Sequence, residues 1–176
     1  MSANEDSATL ASDLLRAEHR LVEAEIDRLE QAVKCPGGDL VGDVRRALAR
    51  IQGLSRPHFM KEENVFYPYL RAELPELLEQ LDEQHAYTRE VEGHLGELID
   101  SIHGEPDARQ VAELVRFSLE LADVIQHHIV EEEDQLLRLA DARLSPAEQA
   151  TLAAKMKASG AIFRASTSSG KIAVER

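Results

Sequence analysis

The sequence of 176 residues has no tryptophan, one cysteine and only 4% aromatic residues. A single cysteine cannot close an internal disulfide or form a site from several thiolates. Cys35 lies in a Cys-Pro-Gly-Gly turn, and we interpret it as a loop thiol, with redox sensing as the lesser alternative. The shortage of aromatic residues and the abundance of Leu, Ala, Glu, Arg and Val favour helices over a β-sandwich or β-barrel.

Long apolar runs and positive charge are also scarce. No apolar run reaches the roughly 18 residues of a membrane-spanning helix, and no basic start precedes an apolar stretch. We therefore expect no signal peptide, no membrane partner and a cytoplasmic location. The chain has 33 acidic and 20 basic residues, with a formal net charge of −13. Nucleic acids need a basic surface on their partner, so a nucleic-acid partner is not expected.

Apolar residues make up 43% of the chain and recur with helical period in four long segments, helices A to D, joined by short connections. This pattern predicts one all-α domain over residues 8–160, an antiparallel up-down-up-down four-helix bundle. We expect a short fifth C-terminal helix after the bundle. Residues 161–176 are predicted to form a flexible C-terminal tail.

Capping residues and helix breakers set the predicted boundaries. Those that bound helices A to D are Thr9 or Ser12, Pro36, Asp39, Pro68, Pro75, Gly104 and residues 105–107. The sequence Ser-Pro-Ala-Glu at 145–148 predicts an N-cap, a first-turn proline and a capping-box acid for the fifth helix. We expect that helix to end near Lys157.

Pro57 interrupts the apolar pattern of helix B. A proline there removes the amide that would donate to the carbonyl of Gly53, so the sequence predicts a kink one residue before His58. The alternative is a pair of shorter helices.

The pattern His-x-x-x-Glu occurs twice, at residues 58–62 and 128–132, and a second acid follows each copy, Glu63 and Glu133. Residues four apart lie on one helix face, so each copy presents an imidazole and a carboxylate to the same point. Apolar residues seven and four positions before each histidine place this face toward the core. Buried carboxylates must be paired, hydrogen-bonded or metal-bound. Two such units in register favour a metal site over the alternative, a solvent-edge position on an amphipathic helix.

Each of the four long helices carries one histidine in its apolar stripe. The first two are 39 residues apart and the last two 43, so we expect all four at similar depth in the bundle. Four imidazoles and two carboxylates exceed the ligand set of one tetrahedral zinc ion and fit two metal ions better, with both acids bridging. Iron suits such donors, and manganese or zinc is the alternative. The candidate metal ligands are His19, His58, Glu62, His85, His128 and Glu132.

These residues resemble the haemerythrin family, specifically its HHE cation-binding branch, over about residues 10–160. The resemblance rests on His19, the unit 58–62, His85, the unit 128–132, and Glu63 with Phe66-Tyr67-Pro68 after the first unit. It implies a non-haem centre of two iron ions (Fe2+/Fe3+). Two carboxylates and an oxo or hydroxo group would bridge the irons, and the centre would bind oxygen, nitric oxide or peroxide.

The sequence departs from oxygen-carrying haemerythrins at Arg89, where those carriers place a second histidine four residues after the helix C ligand. The difference indicates the six-ligand branch, which includes iron-centre repair proteins, peroxide-consuming proteins and iron or oxygen sensors. We therefore expect a protein that binds, senses or reacts with oxygen, nitric oxide or peroxide, with or without a redox partner. Iron storage, iron delivery or iron-centre repair without turnover is the alternative, and a scaffold with a vestigial site is a third reading.

Several residues near the candidate ligands have open roles. Arg89 either stabilises a bound anion or forms a salt bridge to Glu92 or at the surface. Glu92 supports a ligand or lies at the edge of the stripe, and His127 is a flank or an outer donor. His94 is expected in solvent.

Overall fold

The computed structural model describes the backbone of residues 9–169 and the side chains of residues 9–160. Every regular element in this part of the chain is helical, and none of these helices is both long and apolar enough to cross a membrane. The elements are α1 (Ala11–Lys34), α2 (Leu40–Lys61), a first π-helical segment (Glu62–Phe66), α3 (Tyr67–Leu70), α4 (Pro75–Ser101), α5 (Ala108–Glu131), a second π-helical segment (Glu132–Leu137), α6 (Arg138–Arg143) and α7 (Pro146–Ser169).

The predicted helices A to D are all present, and several of their predicted ends are confirmed. The side chain of Asp39 accepts a hydrogen bond from the Gly42 amide at 3.0 Å and caps α2. Pro75 opens α4, and Gly104, with φ 89°, follows its end. This left-handed backbone is strained for residues with a side chain, which explains a glycine there.

The predicted N-cap of the first helix is wrong. The helix begins at Ala11 after Leu10, which provides no side-chain cap. Ser12 lies inside the helix and is buried, where its backbone amide donates to Gln149 Oε1 at 3.1 Å and its hydroxyl donates to Asp141 Oδ1 at 2.5 Å. Tertiary hydrogen bonds to α6 and α7 therefore occupy the hydroxyl and the amide, and the hydroxyl is not available for a local cap.

The fifth helix starts as predicted and is longer than predicted. The Ser145 amide donates to Glu148 Oε2 at 2.8 Å, and the Glu148 amide donates to Ser145 Oγ at 3.3 Å, which confirms the capping box. The helix then continues past Lys157, so residues 161–169 of the predicted tail are helical, and 170–176 lie outside the described residues. Gly160 does not end the helix. A Cβ there would lie 3.0 Å from the Lys61 side chain, so glycine permits close packing on α2.

Pro57 lies inside α2 and does not divide it. The alternative of two shorter helices is therefore wrong. The backbone changes type five residues later, because the first π segment begins at Glu62, and the second begins at the matching Glu132. In the first, the Tyr67 amide donates to the carbonyl of Glu62, five residues earlier. Such π turns inside α-helices are rare and occur often at functional sites.

Each π segment shifts the buried face by one residue. Continued without a break past Glu62 and Glu132, the α-helical period of the sequence predicts Val65, Tyr69 and Leu139 as inward positions. Tyr69 is instead 47% exposed, and Phe66 and Tyr67 are buried. After the second unit, Leu137 is buried and Leu139 is only half-buried. The extra residue in each π turn accounts for both errors.

Two hydrophobic clusters lie on either side of a polar layer that contains the four stripe histidines. The first cluster takes residues after the histidine in α1 and α4, and mainly residues before it in α2 and α5. The second cluster takes residues before the histidine in α1 and α4, together with α3, α6 and α7. Large buried side chains of the two clusters include Ile26, Leu29, Ile51, Leu95 and Leu114 in the first, and Leu15, Phe66, Tyr67, Leu78 and Leu81 in the second. The fold thus holds a polar layer between two apolar ones.

Candidate metal centre

The structure brings all six predicted ligand residues into the polar layer, and none is more than 2% exposed. The helical spacing of the first unit sets His58 Nε2 2.8 Å from Glu62 Oε1. From α4, His85 Nε2 reaches the other oxygen of Glu62 at 3.3 Å. From α1, His19 Nε2 lies 3.0 Å from Glu132 Oε2. Four separate helical runs therefore supply one cluster.

The potential ligand atoms form two overlapping groups. One contains His19, His58, Glu62 and Glu132, and the other contains Glu62, His85 and His128; within each group the atoms lie within 4.8 Å of one another. Glu62 belongs to both groups. Glu132 Oε2 also lies 4.0 Å from His128 Nε2. The arrangement offers two adjacent cation positions with a carboxylate between them.

Outer partners orient the four imidazoles. Every Nδ1 faces an oxygen at 2.9–3.0 Å, pairing His19 with Glu133, His58 with Glu18, His85 with Glu63 and His128 with Gln84. An ionised carboxylate can only accept, so Nδ1 carries the proton in three of the rings. The amide nitrogen of Gln84 donates to Glu131, which leaves its Oε1 to accept from His128. The hydrogen-bond network therefore assigns a free Nε2 lone pair to each neutral imidazole.

The inward atoms lack hydrogen-bond partners. Among the described side chains, eight buried polar atoms have none, and six of them are Nε2 of His19 and His58 and the carboxylate oxygens of Glu62 and Glu132. The Nε2 atoms of His85 and His128 face each other at 3.2 Å. Unsatisfied buried polar groups are rare and destabilising. The donor set fits bound metal ions, because a cation would satisfy all of these atoms together.

The electrostatics of the two units differ. Burial acts to lower the pKa of His58, but the charge of Glu62 and the hydrogen bond to Glu18 outweigh it and raise the pKa to about 10. Burial acts to raise the pKa of Glu62, and the neighbouring histidines hold it well below its usual range. In the second unit, burial and the charge of Glu62 raise the pKa of Glu132. Burial and the surrounding histidines lower the pKa of His128 well below its usual value.

The family model of the haemerythrin HHE cation-binding domain matches residues 10–140. The chain belongs to this family. The matched segment contains all six residues of the cluster, from His19 to Glu132. No curated protein matches the sequence. The buried His/Glu cluster is thus where this haemerythrin-family domain could hold its cation.

The second acid of each unit reaches across to another helix. Glu63 accepts from His85 and is paired with Arg89, while Glu133 accepts from His19 and is paired with Arg20. Burial acts to raise the pKa of both acids, but the hydrogen bonds to histidine and arginine outweigh it and lower both values. Sequence reasoning noted these acids without assigning their partners. The signal in the sequence for such a role was the second glutamate, which directly follows the glutamate of each His-x-x-x-Glu unit.

Arg89 does not pair with Glu92. Its guanidinium contacts Glu63 and lies 5.4 Å from the centre of the Phe59 ring. Of the two predicted salt bridges, the one to Glu92 is wrong and the one at the surface is confirmed, with the second acid of the first unit as the partner. Arg89 helps to hold the carboxylate that orients His85.

Tyr67 is a further residue of this haemerythrin-family site. Its side chain is fully buried, its Oη lies 3.5 Å from His85 Nε2, and its ring stacks on His85 at 5.6 Å between centroids. Burial and the charges of Glu132 and Glu62 raise its pKa well above the usual value, so it keeps its proton. The Phe66-Tyr67-Pro68 motif is visible in the sequence, but the inward direction of Tyr67 is not, because that direction depends on the π turn.

His127 and His94 are exposed, whereas Glu92 is buried. His127 has a side chain 68% exposed, 3.6 Å from Glu131, so it is a flank. His94 is exposed, as predicted, and lies against the Phe117 ring. Glu92 is buried and accepts from Ser55, so the edge position is wrong.

A small cavity of about 10 Å³ adjoins the centre. Its lining includes His19, His58 and His128 on the ligand side, and Ser55, Phe59 and Ile125 on the other. This volume approaches what a single water molecule needs. The cavity therefore marks the place beside the histidines where the packing is least complete.

Proposed function

We propose that this haemerythrin-family protein holds two iron ions in the polar layer. His19 and His58 would hold one ion and His85 and His128 the other, the carboxylates of Glu62 and Glu132 would be shared between the ions, and an oxo or hydroxo group would complete the centre. The observation that carries the proposal is the pair of atom groups sharing Glu62, whose Nε2 and carboxylate atoms mostly lack other partners. Nitrogen and oxygen donors without thiolate suit iron, with manganese or zinc as the alternative.

The residues around the irons have distinct tasks. Bound iron supplies a change between ferrous and ferric states and a position for a small ligand. Hydrogen bonds at Nδ1 fix the ring orientation and make each imidazole a better donor. Phe59 and Ile125 line the adjoining cavity with apolar surface. Tyr67 remains protonated and can donate a hydrogen bond toward the centre.

The function that this geometry supports best is binding, sensing or reaction with oxygen, nitric oxide or peroxide. The small cavity beside three of the histidines supports a small ligand over a larger substrate. Turnover would make the protein a di-iron oxidoreductase with a redox partner, whereas a sensor would bind its ligand without turnover. We retain iron storage, iron delivery or iron-centre repair as the alternative function.

We also propose that the domain is an antiparallel up-down-up-down bundle. The order in which successive helices contribute to the two hydrophobic clusters supports this topology. The domain boundaries of 8–160 and a cytoplasmic location remain predictions from the sequence. Arg89, in place of a further histidine, supports a reactive centre over a reversible oxygen carrier.

Metal analysis with optical spectroscopy tests the proposal. Protein purified with and without added iron is expected to hold two irons per chain when loaded and to show a charge-transfer band. Oxygen is then added to the anaerobic ferrous protein, and inert gas follows. A band that disappears under inert gas and returns with oxygen would identify a reversible carrier and contradict the reactive reading. Protein that binds no iron would contradict the whole proposal.

A further inference from the structure

Glu92 and Ser55 form a buried polar pair beside the candidate ligands. Ser55 Oγ donates to Glu92 Oε1 at 3.0 Å, and the two residues are 1% and 2% exposed. Glu92 follows His85 by seven residues and Ser55 precedes His58 by three, so each shares the inward face of its helix with a histidine. The pair lies at the border between the polar layer and the first hydrophobic cluster.

The repeated architecture shows that packing does not require polar residues at this level. The position seven residues after His19 is Ile26, and the position three residues before His128 is Ile125. Both isoleucines are buried in the first hydrophobic cluster, at 0% and 2% exposure. Burying a carboxylate is unfavourable unless it is compensated. Isoleucines fill these two positions beside His19 and His128, so packing alone does not explain why an acid and a hydroxyl occupy the equivalent positions beside His85 and His58.

The pair connects the cavity with the surface. Ser55 lines the cavity beside His58 and His128. At the other end, Glu92 Oε2 lies 4.0 Å from the Arg56 guanidinium, whose side chain is 56% exposed. The other polar groups facing Glu92 are Gln52 on α2 and Arg89 on its own helix. A carboxyl group and a hydroxyl thus bridge the distance between solvent and the ligand side of the centre.

We propose that Glu92 and Ser55 transfer protons between solvent and the ligand cavity of the centre, an inference that rests on the proposed function. A proton released by hydrogen peroxide in the cavity passes to Ser55 Oγ while the hydroxyl gives its own proton to the Glu92 carboxylate, along the hydrogen bond that the structure shows. Protonated Glu92 then releases a proton to solvent beside Arg56. One proton enters and one leaves the pair, and no electrons move.

The electrostatics of Glu92 suit this role. Burial raises its pKa, against the opposing hydrogen bond from Ser55 and the charges of Arg56 and Arg89. A carboxylate with a raised pKa is a stronger base and exchanges its proton closer to neutral pH, where acid–base groups are most effective.

The rate of reaction with hydrogen peroxide tests the route in the iron-loaded protein. Glu92→Gln keeps the shape and removes the exchangeable proton, and Ser55→Ala removes the connecting hydroxyl. Both are expected to bind iron like the wild type, to react at least about tenfold more slowly and to lose the pH dependence of the rate. Ser55→Thr, which keeps the hydroxyl, is expected to retain the rate. Glu25→Gln is the matched control, because Glu25 is also largely buried but pairs with Arg28 away from the cavity lining.

Infrared spectroscopy provides a readout that does not depend on turnover. The iron-loaded wild type is expected to show a protonated-carboxyl band that titrates above the ordinary glutamate range, disappears in Glu92→Gln and shifts in Ser55→Ala. Equal rates and pH profiles in wild type and Glu92→Gln would overturn the inference, as would absence of the band or of any peroxide reaction by iron-loaded protein. Absence of bound iron in the wild type would instead overturn the proposed function.

Discussion

The two His-x-x-x-Glu units have the same inward residues and different surroundings. Both place a histidine and a glutamate in the polar layer, and both pass into a π segment at the glutamate. Around the first histidine, Glu18 accepts the Nδ1 proton and Lys61 pairs with Glu18. Around the second, neutral Gln84 accepts the proton and donates to Glu131, which occupies the position equivalent to Lys61. The repeat thus conserves the geometry of the donors while the outer residues set the charge of each half.

The difference in charge appears in the histidines themselves. The pKa of His58 is raised to about 10, against the lowering effect of burial, because Glu62 and Glu18 favour the imidazolium ion. The pKa of His128 is lowered well below its usual value by burial and the neighbouring histidines. A metal ion therefore competes with a proton for His58 and meets an already neutral His128. Similar donor positions do not make the two halves chemically equal.

The largest expected effect follows from the unequal positions of the two proposed bridging acids. Glu62 belongs to both ligand groups, whereas Glu132 belongs to one and reaches the other only through a 4.0 Å approach to His128. We expect Glu62→Ala to hold fewer than one iron per chain, with Glu132→Ala and His19→Ala retaining more. Iron analysis after anaerobic loading and desalting measures this, with Glu25→Ala as a control for loss of a buried carboxylate elsewhere. Wild-type stoichiometry in Glu62→Ala would remove Glu62 from the site.

A smaller loss of metal affinity is expected when the outer acid that orients a histidine is removed, an acid that both halves of the site have. Glu63 orients His85 and Glu133 orients His19, each through Nδ1 at 2.9 Å. Loss of such an outer partner typically weakens metal binding by about 10–100-fold. We expect Glu63→Ala and Glu133→Ala to raise the dissociation constant for Co2+ by similar factors within this range, measured by optical titration. A loss confined to one variant would show that the halves differ in their outer acids as well.

The all-helical fold class and the burial of the six candidate ligands in one cluster could be predicted because both depend on local spacing. Histidine and glutamate four residues apart share a helix face whatever the rest of the chain does. The one-residue shift after Glu62 could not be read in this way, since no residue type marks a π turn and tertiary packing selects it. That shift is why Tyr67 was missed and Tyr69 was placed inward. The acceptors Glu18 and Gln84 were also missed, although each directly precedes a stripe histidine, because their partners lie on other helices.

The pH dependence of metal affinity tests the difference in charge between His58 and His128, and the expected effect is smaller again. Below its pKa of about 10, His58 must release a proton to bind a metal. Affinity for Co2+ is therefore expected to rise by up to about tenfold per pH unit between about pH 7 and 9. Glu18→Gln removes a hydrogen bond that raises the His58 pKa, so it should flatten this slope, and Gln84→Glu should steepen it by favouring protonated His128. Parallel slopes in all three proteins would contradict the assigned asymmetry.

The smallest expected effect concerns Glu92, which stands where the other half has Ile26. Burial raises the pKa of Glu92 above the ordinary value of 4.5, so the fold favours its protonated form. This contribution to stability is complete below the unfolded pKa and is lost as the pH rises through the folded one. Glu92→Gln should therefore melt a few degrees higher than wild type at pH 8, where about 1 kcal/mol shifts a domain of this size by about 2–4 °C.

Melting of the metal-free proteins at two pH values decides whether this acid reduces stability. At pH 4 the wild type is protonated at Glu92, so the two proteins are expected to melt together. Higher stability of Glu92→Gln at pH 8 combined with a slower peroxide reaction would show that the acid is kept for proton transfer at some expense in stability. A lower melting temperature at pH 8 would mean that Arg56 and Ser55 more than compensate the buried charge. In that case Glu92 would stabilise its half of the bundle, as Ile26 and Ile125 stabilise theirs.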